Sequence, residues 1–529
     1  MPRLRWPSRT ACSAAVFAIG IAHRLFLLSV SAEALRAQEQ AYPGYLTWQF
    51  LRPESFSFSL GASMLYLQQG PPIPNLIVGL FIKAIGWPHG SATFLVAFEG
   101  LLSAAAGTLL FGIVDRLLPR ARWAALVISV LFVLNPDLVV IEYNSLGQTF
   151  YEILAMTLVL ALARALLALG EAPSLRLSWL AGVACALLAL TRAPYSLVAL
   201  PVLAAVWMLL DSGRLRHSVA LLGAIVVLHG GWTLKNALVY GVPSPVTSSW
   251  GGTNFTLGMI RAKYDQEFKA SILQEADRYP EWFTRLIRDH GLVHWHPPTF
   301  LEYVPEEVRA RDRQIQAALG GINQTENTVA QRVLSDWYMR AHIRFALHRP
   351  DLVFHRFLMS YEQFWEPIRN YGSLYVSQFA IRIRITNSFD VLGFITKIFD
   401  GRLPEPQLQI RRGSRRVWYP TSFFVPNFAA PPILLLNLIA VHVLVPVVLV
   451  GALVSWIRTR RSSLQTRFLA SMTILYLYAA LTFNIAEYGE NMRFRVSIEP
   501  VIWILSTIAW SELWNRGRLV ARARSVWKF

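Results

Sequence analysis

The sequence predicts an all-α, polytopic membrane protein with about ten transmembrane helices and a mostly helical extracytoplasmic domain. Three observations predict this fold class: the composition, the long apolar runs and the placement of the basic residues. Of the 529 residues, 54% are hydrophobic and only 16% are charged. An average soluble domain carries about 25% charged residues. The composition therefore argues against an ordinary soluble enzyme and against a disordered chain.

The apolar runs give the individual spans. A run at 11–30 follows three arginines and lacks a small-residue cleavage site, so we expect an uncleaved first span. The further runs are 92–115, 123–140, 150–169, 178–190, 195–210, 218–240, 432–456, 467–485 and 497–514. The fifth span is short against the roughly 20 residues that a span needs. It shares a tight turn, Thr191-Arg192-Ala193-Pro194, with the sixth. The run from Pro72 to Gly86 is shorter still and predicts an interfacial or re-entrant helix.

Basic residues on alternate short loops predict the orientation, because such residues stay on the cytoplasmic side. Both termini are expected in the cytoplasm, with the chain in the inner (plasma) membrane. The formal net charge of +18 lies mostly outside 241–425, in the hydrophobic part of the chain. It therefore predicts orientation and gives no support to nucleic acid as a partner.

The same topology predicts three parts. Residues 1–240 form an N-terminal membrane module of about seven spans, with a first extracytoplasmic loop at 32–91. Residues 241–431 form an extracytoplasmic domain, and 432–529 a C-terminal membrane module of about three spans. Within the domain, apolar residues at helical spacing from Thr328 to Trp365 predict two helices divided at Pro350.

Ionisable residues within or beside the spans gather at the predicted outer ends. They are Arg24, Glu99, Asp137, Glu142, Glu152, Arg192, Lys235, Arg493 and Arg495. Such residues are functional candidates by default, although snorkelling and interhelical ion pairs would also place them there. Five cations on the side disfavoured for basic residues predict an anionic partner. A lipid phosphate is the simplest one, since arginine binds phosphate in a bidentate manner. Lipid binding alone would use the same residues.

Chemistry at that phosphate would need a base. The first extracytoplasmic loop contains Glu33, Glu39 and Glu54 and no aspartate. Glu39 lies about nine residues past the first span, where a carboxylate could take a proton from an acceptor hydroxyl. For each glutamate, a solvated loop carboxylate is the alternative.

Several motifs occur in the order typical of one family. They are His23-Arg24-Leu25-Phe26, Gly70-Pro71-Pro72-Ile73-Pro74-Asn75-Leu76, Leu134-Asn135-Pro136, Leu190-Thr191-Arg192-Ala193-Pro194, Lys235-Asn236 followed by Gly251-Gly252-Thr253-Asn254-Phe255, His348-Arg349-Pro350 to Trp365, and Arg493-Phe494-Arg495 with Pro500. Together they make the chain resemble the bacterial polyprenyl-phosphate-sugar glycosyltransferases of the protein mannosyltransferase and aminoarabinose transferase type, which have the GT-C fold.

The resemblance implies a function and a site. The donor would be a polyprenyl-phosphate-linked sugar, and the acceptor lipid A, another envelope glycan or a protein. Arg192, Arg493 and Arg495, with Lys235, would hold the donor phosphate, and Glu39 would be the catalytic base. The other substrate-binding candidates are Arg24, Glu99, Glu152 and Asn254. Membrane lipids are expected partners, and a divalent cation is an open option as cofactor.

The sequence also departs from the family. The family's base is an aspartate, where this chain offers Glu39, and the second family acid is matched only by Glu152, three residues out of register. Glu99 stands where the family has an uncharged polar residue, and a stretch at 370–428 is inserted. The Gly251-Gly252 pair predicts either a turn that approaches an anion or a plain loop. A transporter or flippase for lipid-linked sugars, and a catalytically inactive binding member, remain alternative functions.

Overall fold

A computed structural model gives the structure of the chain. It describes residues 8–46, 51–68, 70–86, 91–135, 138, 141–142, 150–241, 250–292, 300–322, 327–365, 383–385, 408–412, 415–419, 436–459, 463–486 and 491–526. Within these ranges, side chains are not described for 27, 29–46, 91–93, 362, the strand residues, 452, 454–459, 486, 491–493 and 515–526.

The N-terminal module is built from helices joined by short connections, and no strand occurs among its described residues. Its helices are α1 (Arg9–Leu46), α2 (Pro53–Phe58), α3 (Leu60–Leu65), α4 (Pro72–Ile85), α5 (Ser91–Leu117), α6 (Arg122–Val133), α7 (Phe150–Glu171), α8 (Leu175–Thr191), α9 (Ala199–Leu209), α10 (Arg214–Ile225) and α11 (Gly231–Tyr240). A π-helical turn, Val226–Gly230, joins α10 to α11 into one long rod.

The predicted extracytoplasmic domain is built from shorter helices and one small sheet. The helices are α12 (Gly251–Arg261), α13 (Asp265–Gln274), α14 (Glu281–His290), α15 (Glu306–Ala318), α16 (Val329–His348) and α17 (Pro350–Phe364). The break at Pro350 is confirmed: α16 begins after its N-cap Thr328 and α17 begins at the proline. Three strands, β1 (Ile383–Ile385), β2 (Leu408–Arg412) and β3 (Arg415–Tyr419), form an antiparallel sheet in the order β1-β2-β3. This sheet, within the stretch predicted as an insertion, departs from an otherwise helical chain.

The C-terminal module adds α18 (Val445–Thr459), α19 (Leu464–Ala486) and α20 (Asn491–Val526), with a π-helical turn, Ala440–Leu444, before α18. Within the described residues, five helices are long and apolar enough to cross a membrane: Phe94–Leu117, Phe150–Glu171, Arg214–Tyr240, Leu464–Ile485 and Phe494–Trp514. Five further apolar helices are shorter, among them α4, α8 and α9. The expectation of several helices of membrane-spanning length is therefore confirmed, and the count of about ten spans stays a prediction.

Ion pairs gather the predicted cytoplasmic residues at one end of the bundle. Asp115 at the end of α5 binds Arg9 at 2.5 Å and Arg122 at 3.0 Å. Arg467 at the start of α19 binds Asp211, just after α9, at 2.8 Å. These pairs place the start of α1 beside the end of α5 and the start of α19 beside the end of α9, which agrees with the predicted alternation of the basic loops.

Helix α1 is longer than the predicted span. It continues through residues 32–46, which were predicted to begin the first extracytoplasmic loop. The prediction of a loop is wrong for these residues, while their extracytoplasmic position stays a prediction. The stretch from Ser31 to Ala41 is rich in alanine, glutamate, glutamine and arginine, which favour helix. The first loop therefore begins only after Leu46.

Candidate functional site

Arg24 forms a bidentate ion pair inside the bundle. Its Nε and Nη2 donate to the two carboxylate oxygens of Glu142 at 2.9 and 2.7 Å, and its Nη1 donates to the carbonyl of Val133. Arg24 is 3% exposed and Glu142 1%. The pair fastens α1 to the chain that follows α6.

Glu99 brings a second carboxylate to this pair. It is buried on α5 and interacts electrostatically with Glu142. The next residue, Gly100, lets α5 approach Arg24 closely, because a Cβ there would lie 2.7 Å from Arg24 Cγ. Glu99 Oε2 accepts no hydrogen bond from any described residue. Two buried acids therefore lie close together, and the ion pair with Arg24 is made by Glu142.

Arg192 lies in the predicted turn between α8 and α9. Its backbone is extended, with φ at −146°, and a short 3₁₀ turn, Ala193–Tyr195, follows it. Its Nη2 donates to Glu152 Oε1 on α7 at 2.5 Å, and its guanidinium lies 4.7 Å from the ring centroid of Phe494. Its Nε donates to no described residue. The guanidinium thus keeps one donor for a further acceptor.

The first turn of α4 reaches the same place through Asn75. Its Oδ1 accepts the backbone N–H of Leu51 at 3.1 Å, and its Nδ2 donates to the carbonyl of Pro71 at 3.0 Å. Its side chain also hydrogen-bonds Tyr151, whose ring centroid lies 5.9 Å from the Arg192 guanidinium. The 70–76 motif is therefore positioned beside Arg192.

Arg495 on α20 completes this region. Its Nε donates to Glu499 at 2.9 Å and its Nη1 to the carbonyl of Phe364 at 3.0 Å. Trp503 Nε1 holds the other oxygen of Glu499 at 3.0 Å. Since Phe494 lies against Arg192 and Arg495 is the next residue, α20 links the two arginines. Arg192, Glu152, Asn75, Phe494 and Arg495 are called the arginine site below.

These pairs correct one step of the sequence reasoning. From the sequence, all five outer cations were expected to need an anionic partner from outside the chain. Arg24, Arg192 and Arg495 have carboxylate partners within the chain, so the requirement does not hold for them. Glu499 was missed, although a glutamate four residues after an arginine is a recognised signal for a helical ion pair.

Lys235 belongs to a different group of side chains. Its Nζ donates to the carbonyl of Leu67 at 2.7 Å and lies 3.6 Å from the ring centroid of Trp232. The structure therefore does not bring Lys235 to the arginine site, where the resemblance put it.

The other candidates are placed only in part. The backbone of Glu39 lies in α1, 15 residues beyond Arg24, which corresponds to about 22 Å along a straight helix. Its side chain, the Arg493 side chain and Asp137 lie outside the described residues. Asn254 is half-buried on α12.

The Gly251-Gly252 pair is neither a turn nor a loop. It begins α12, so both predictions for it are wrong. A Cβ on Gly252 would lie 1.9 Å from the Ser335 carbonyl oxygen, and its N–H donates to the Ser335 hydroxyl at 2.8 Å. The glycine is required for α12 to pack against α16.

The extracytoplasmic domain is fastened to loop one by buried polar contacts. Asn327 accepts the backbone N–H of Gln68 at 2.8 Å and donates to the carbonyl of Tyr66 at 2.7 Å.

Asp312 accepts two backbone N–H groups within the extracytoplasmic domain, those of Val329 at 2.5 Å and Ala330 at 3.2 Å. Burial raises the pKa of Asp312 to about 6, although these two N–H groups act against the shift.

No group of three potential metal ligands occurs among the residues that the structure describes. A divalent cation thus has no candidate site there. Neither a search against protein-family models nor a search of curated proteins finds a match for this chain.

Proposed function

We propose that the chain is a membrane glycosyltransferase that moves a sugar from a polyprenyl-phosphate donor to an extracytoplasmic acceptor. The observation that supports it most is Arg192, a buried guanidinium with one unused N–H donor at the predicted outer end of the bundle. Arginine that keeps a donor free in a poorly solvated place is suited to an oxygen anion such as phosphate.

The proposed reaction is a single displacement with inversion. An acceptor hydroxyl oxygen attacks the anomeric carbon, and the bond from that carbon to the phosphate oxygen breaks. The electron pair leaves with the polyprenyl phosphate, and the hydroxyl proton passes to a carboxylate. Arg192, Arg495 and Arg493 stabilise the negative charge on the departing phosphate.

Glu39 is the proposed base, as the only candidate that the family resemblance supplies. Its backbone is helical, so it would reach the substrate from α1 and not from a loop. Glu33, Glu54 and Glu99 are the other acids to test. Glu54 is exposed in the first turn of α2, and Glu99 is buried beside Glu142.

A catalytically inactive binding member is the second candidate. The internal pairing of Arg24, Arg192 and Arg495 favours it, because three cations are neutralised without any ligand. A transporter for lipid-linked sugars would consume no donor, so the test below also separates that function.

The test is mass spectrometry of envelope glycans and lipid carriers from a deletion strain. We expect one sugar to be missing from an acceptor and its polyprenyl-phosphate form to accumulate. Wild-type protein should restore the sugar, whereas Arg192→Ala and Glu39→Gln should not. If Glu39→Ala and Glu39→Gln both restore the missing sugar, Glu39 is not the catalytic base. An unaltered glycan with carrier held at the inner leaflet would contradict transfer and support flipping.

A further inference from the structure

A second group of polar side chains lies where loop one, α11 and α16 meet. We call it the junction cluster: Gln68, Trp232, Lys235, Tyr240 and Arg332. Lys235 reaches loop one through its bond to Leu67, the neighbour of Gln68. Tyr240 and Arg332 interact electrostatically, as do Lys235 and Arg332. Three separate segments therefore converge on one place.

The cluster contains buried polar atoms that no described residue satisfies. Gln68 is 2% exposed, and neither its Nε2 nor its Oε1 has a partner there. Tyr240 is 5% exposed, and its hydroxyl also lacks a hydrogen-bond partner among the described residues. The same is true of the indole Nε1 of Trp232. Buried polar atoms in native proteins are nearly always hydrogen-bonded. The cluster is thus equipped for an oxygen-bearing partner.

The charges favour an anion. Lys235 forms no carboxylate ion pair with the described part of the chain, and its ammonium has three N–H donors, of which Leu67 takes one. The neighbouring charges are Arg332, which pairs with Asp336 at 3.4 Å, and Asp312, which is engaged by two backbone N–H groups. The nearby acids are thus already occupied.

The numbers of hydrogen-bond donors and acceptors in the cluster indicate which chemical class of ligand it can bind. Lys235, Trp232, Tyr240 and the Gln68 amide nitrogen offer donors, against one unpaired acceptor-only atom, Gln68 Oε1. Such a set matches a ligand made of acceptor oxygens. A tetrahedral phosphate directs its oxygens outward in several directions, as donors from three segments require, whereas a carboxylate directs them within one plane.

We propose that the junction cluster is a second anion site, separate from the arginine site, which binds a phosphate monoester at the predicted outer end of α11. A lipid headgroup and a soluble phosphate share this chemistry. We assign the site to a second substrate of the transfer reaction, and this assignment rests on the proposed function. Phosphate binding at the site does not depend on that function.

The test is binding of dioctanoyl phosphatidic acid to purified full-length protein, followed by intrinsic tryptophan fluorescence, since Trp232 lies in the cluster. Dioctanoyl phosphatidylcholine is the comparison lipid, and inorganic phosphate is the soluble arm. Lys235→Met should weaken phosphatidic acid binding roughly ten- to a hundred-fold, the usual range for a hydrogen bond to a charged group. Gln68→Glu, which keeps the side-chain size and adds a negative charge, should weaken it similarly.

Lys83→Met is the matched control. Lys83 also donates to a loop-one carbonyl, that of Ser57 at 2.7 Å, but it is exposed. Its substitution should leave binding unchanged. If inorganic phosphate competes with phosphatidic acid, the ligand can be a lipid headgroup or a soluble phosphate. If inorganic phosphate does not compete, the ligand is a lipid headgroup. Both results support the site.

Three results would overturn the proposal. They are equal binding of phosphatidic acid and phosphatidylcholine, unchanged binding in Gln68→Glu, and a loss of binding in Lys83→Met as large as that in Lys235→Met. If Lys235→Met does not fold, phosphatidic acid binding by Gln68→Glu tests the proposal in its place. Binding that persists while sugar transfer is never detected would refute the transferase proposal alone.

Discussion

Removal of Arg24 should destabilise the bundle more than removal of its partner Glu142. Arg24→Met leaves Glu142, next to the buried Glu99, without the cation that pairs with it. Stranding one buried charge costs about 3–5 kcal/mol. Glu142→Gln leaves Arg24 with its hydrogen bond to the carbonyl of Val133 and removes the repulsion between Glu142 and Glu99. We therefore expect Glu142→Gln to cost less, by at least about 1 kcal/mol.

The double variant Arg24→Met/Glu142→Leu tests the same reasoning from the other side. Replacement of a buried ion pair by apolar side chains is often nearly neutral, so the double variant should be more stable than Arg24→Met alone. The control is Arg116→Met. Arg116 binds Glu171 at 3.3 Å, with side chains 31% and 37% exposed, and a pair of this kind contributes about 0–1 kcal/mol.

The assay is equilibrium unfolding in mixed detergent micelles, with increasing sodium dodecyl sulfate and tryptophan fluorescence as the readout. The chain has 18 tryptophans, so the signal reports on many parts of the fold. The expectation is refuted if Glu142→Gln costs as much as Arg24→Met, or if the double variant is no more stable than Arg24→Met.

Three further predictions concern Gly252, Asp312 and Arg192. Gly252→Ala should lower stability by about 1–3 kcal/mol through overpacking against Ser335, whereas Gly231→Ala, which meets nothing within 4 Å, should be neutral or slightly stabilising in thermal melts. Burial raises the folded pKa of Asp312 to about 6 from 3.8, so its stabilising effect is complete below about pH 4 and is lost as the pH rises through 6. Asp312→Asn should remove this slope, worth at most about 3 kcal/mol, from melts recorded between pH 4 and 7.5; an unchanged slope would contradict the assignment. Arg192→Lys keeps the charge but not the planar donor set, so complementation of the deletion strain should fall at least about tenfold while the melting temperature changes little; full complementation would contradict phosphate binding by the Arg192 guanidinium.

Composition and periodicity were sufficient to predict the membrane class, the turn at Arg192 and the helix break at Pro350. Each depends on local chemistry: apolar runs, a proline in a short turn, and a proline at the first position of a helix. The ion pairs between Arg467 and Asp211 and around Asp115 likewise join helix ends predicted to lie on one side.

The partners of the buried arginines could not be predicted in the same way. Arg24 and Glu142 are 118 residues apart in sequence, and only the packing of α1 against neighbouring helices brings them together. Glu499 is different, because its spacing from Arg495 was visible in the sequence. The extension of α1 was also visible, in the helix-forming residues that follow the apolar run. Gly252 required the structure, since only the approach of α16 shows why a side chain is excluded.

One measurement tests the transfer reaction most directly. Purified full-length protein is incubated with a lipid and glycan extract of the deletion strain, which should contain both accumulated donor and unmodified acceptor. Mass spectrometry then follows both species over time. The proposed function predicts that free polyprenyl phosphate and acceptor enlarged by one sugar appear in equal amounts, and that Arg192→Ala abolishes both. Unconsumed donor, with folded protein present and the missing sugar shown to depend on this chain in cells, would contradict direct transfer.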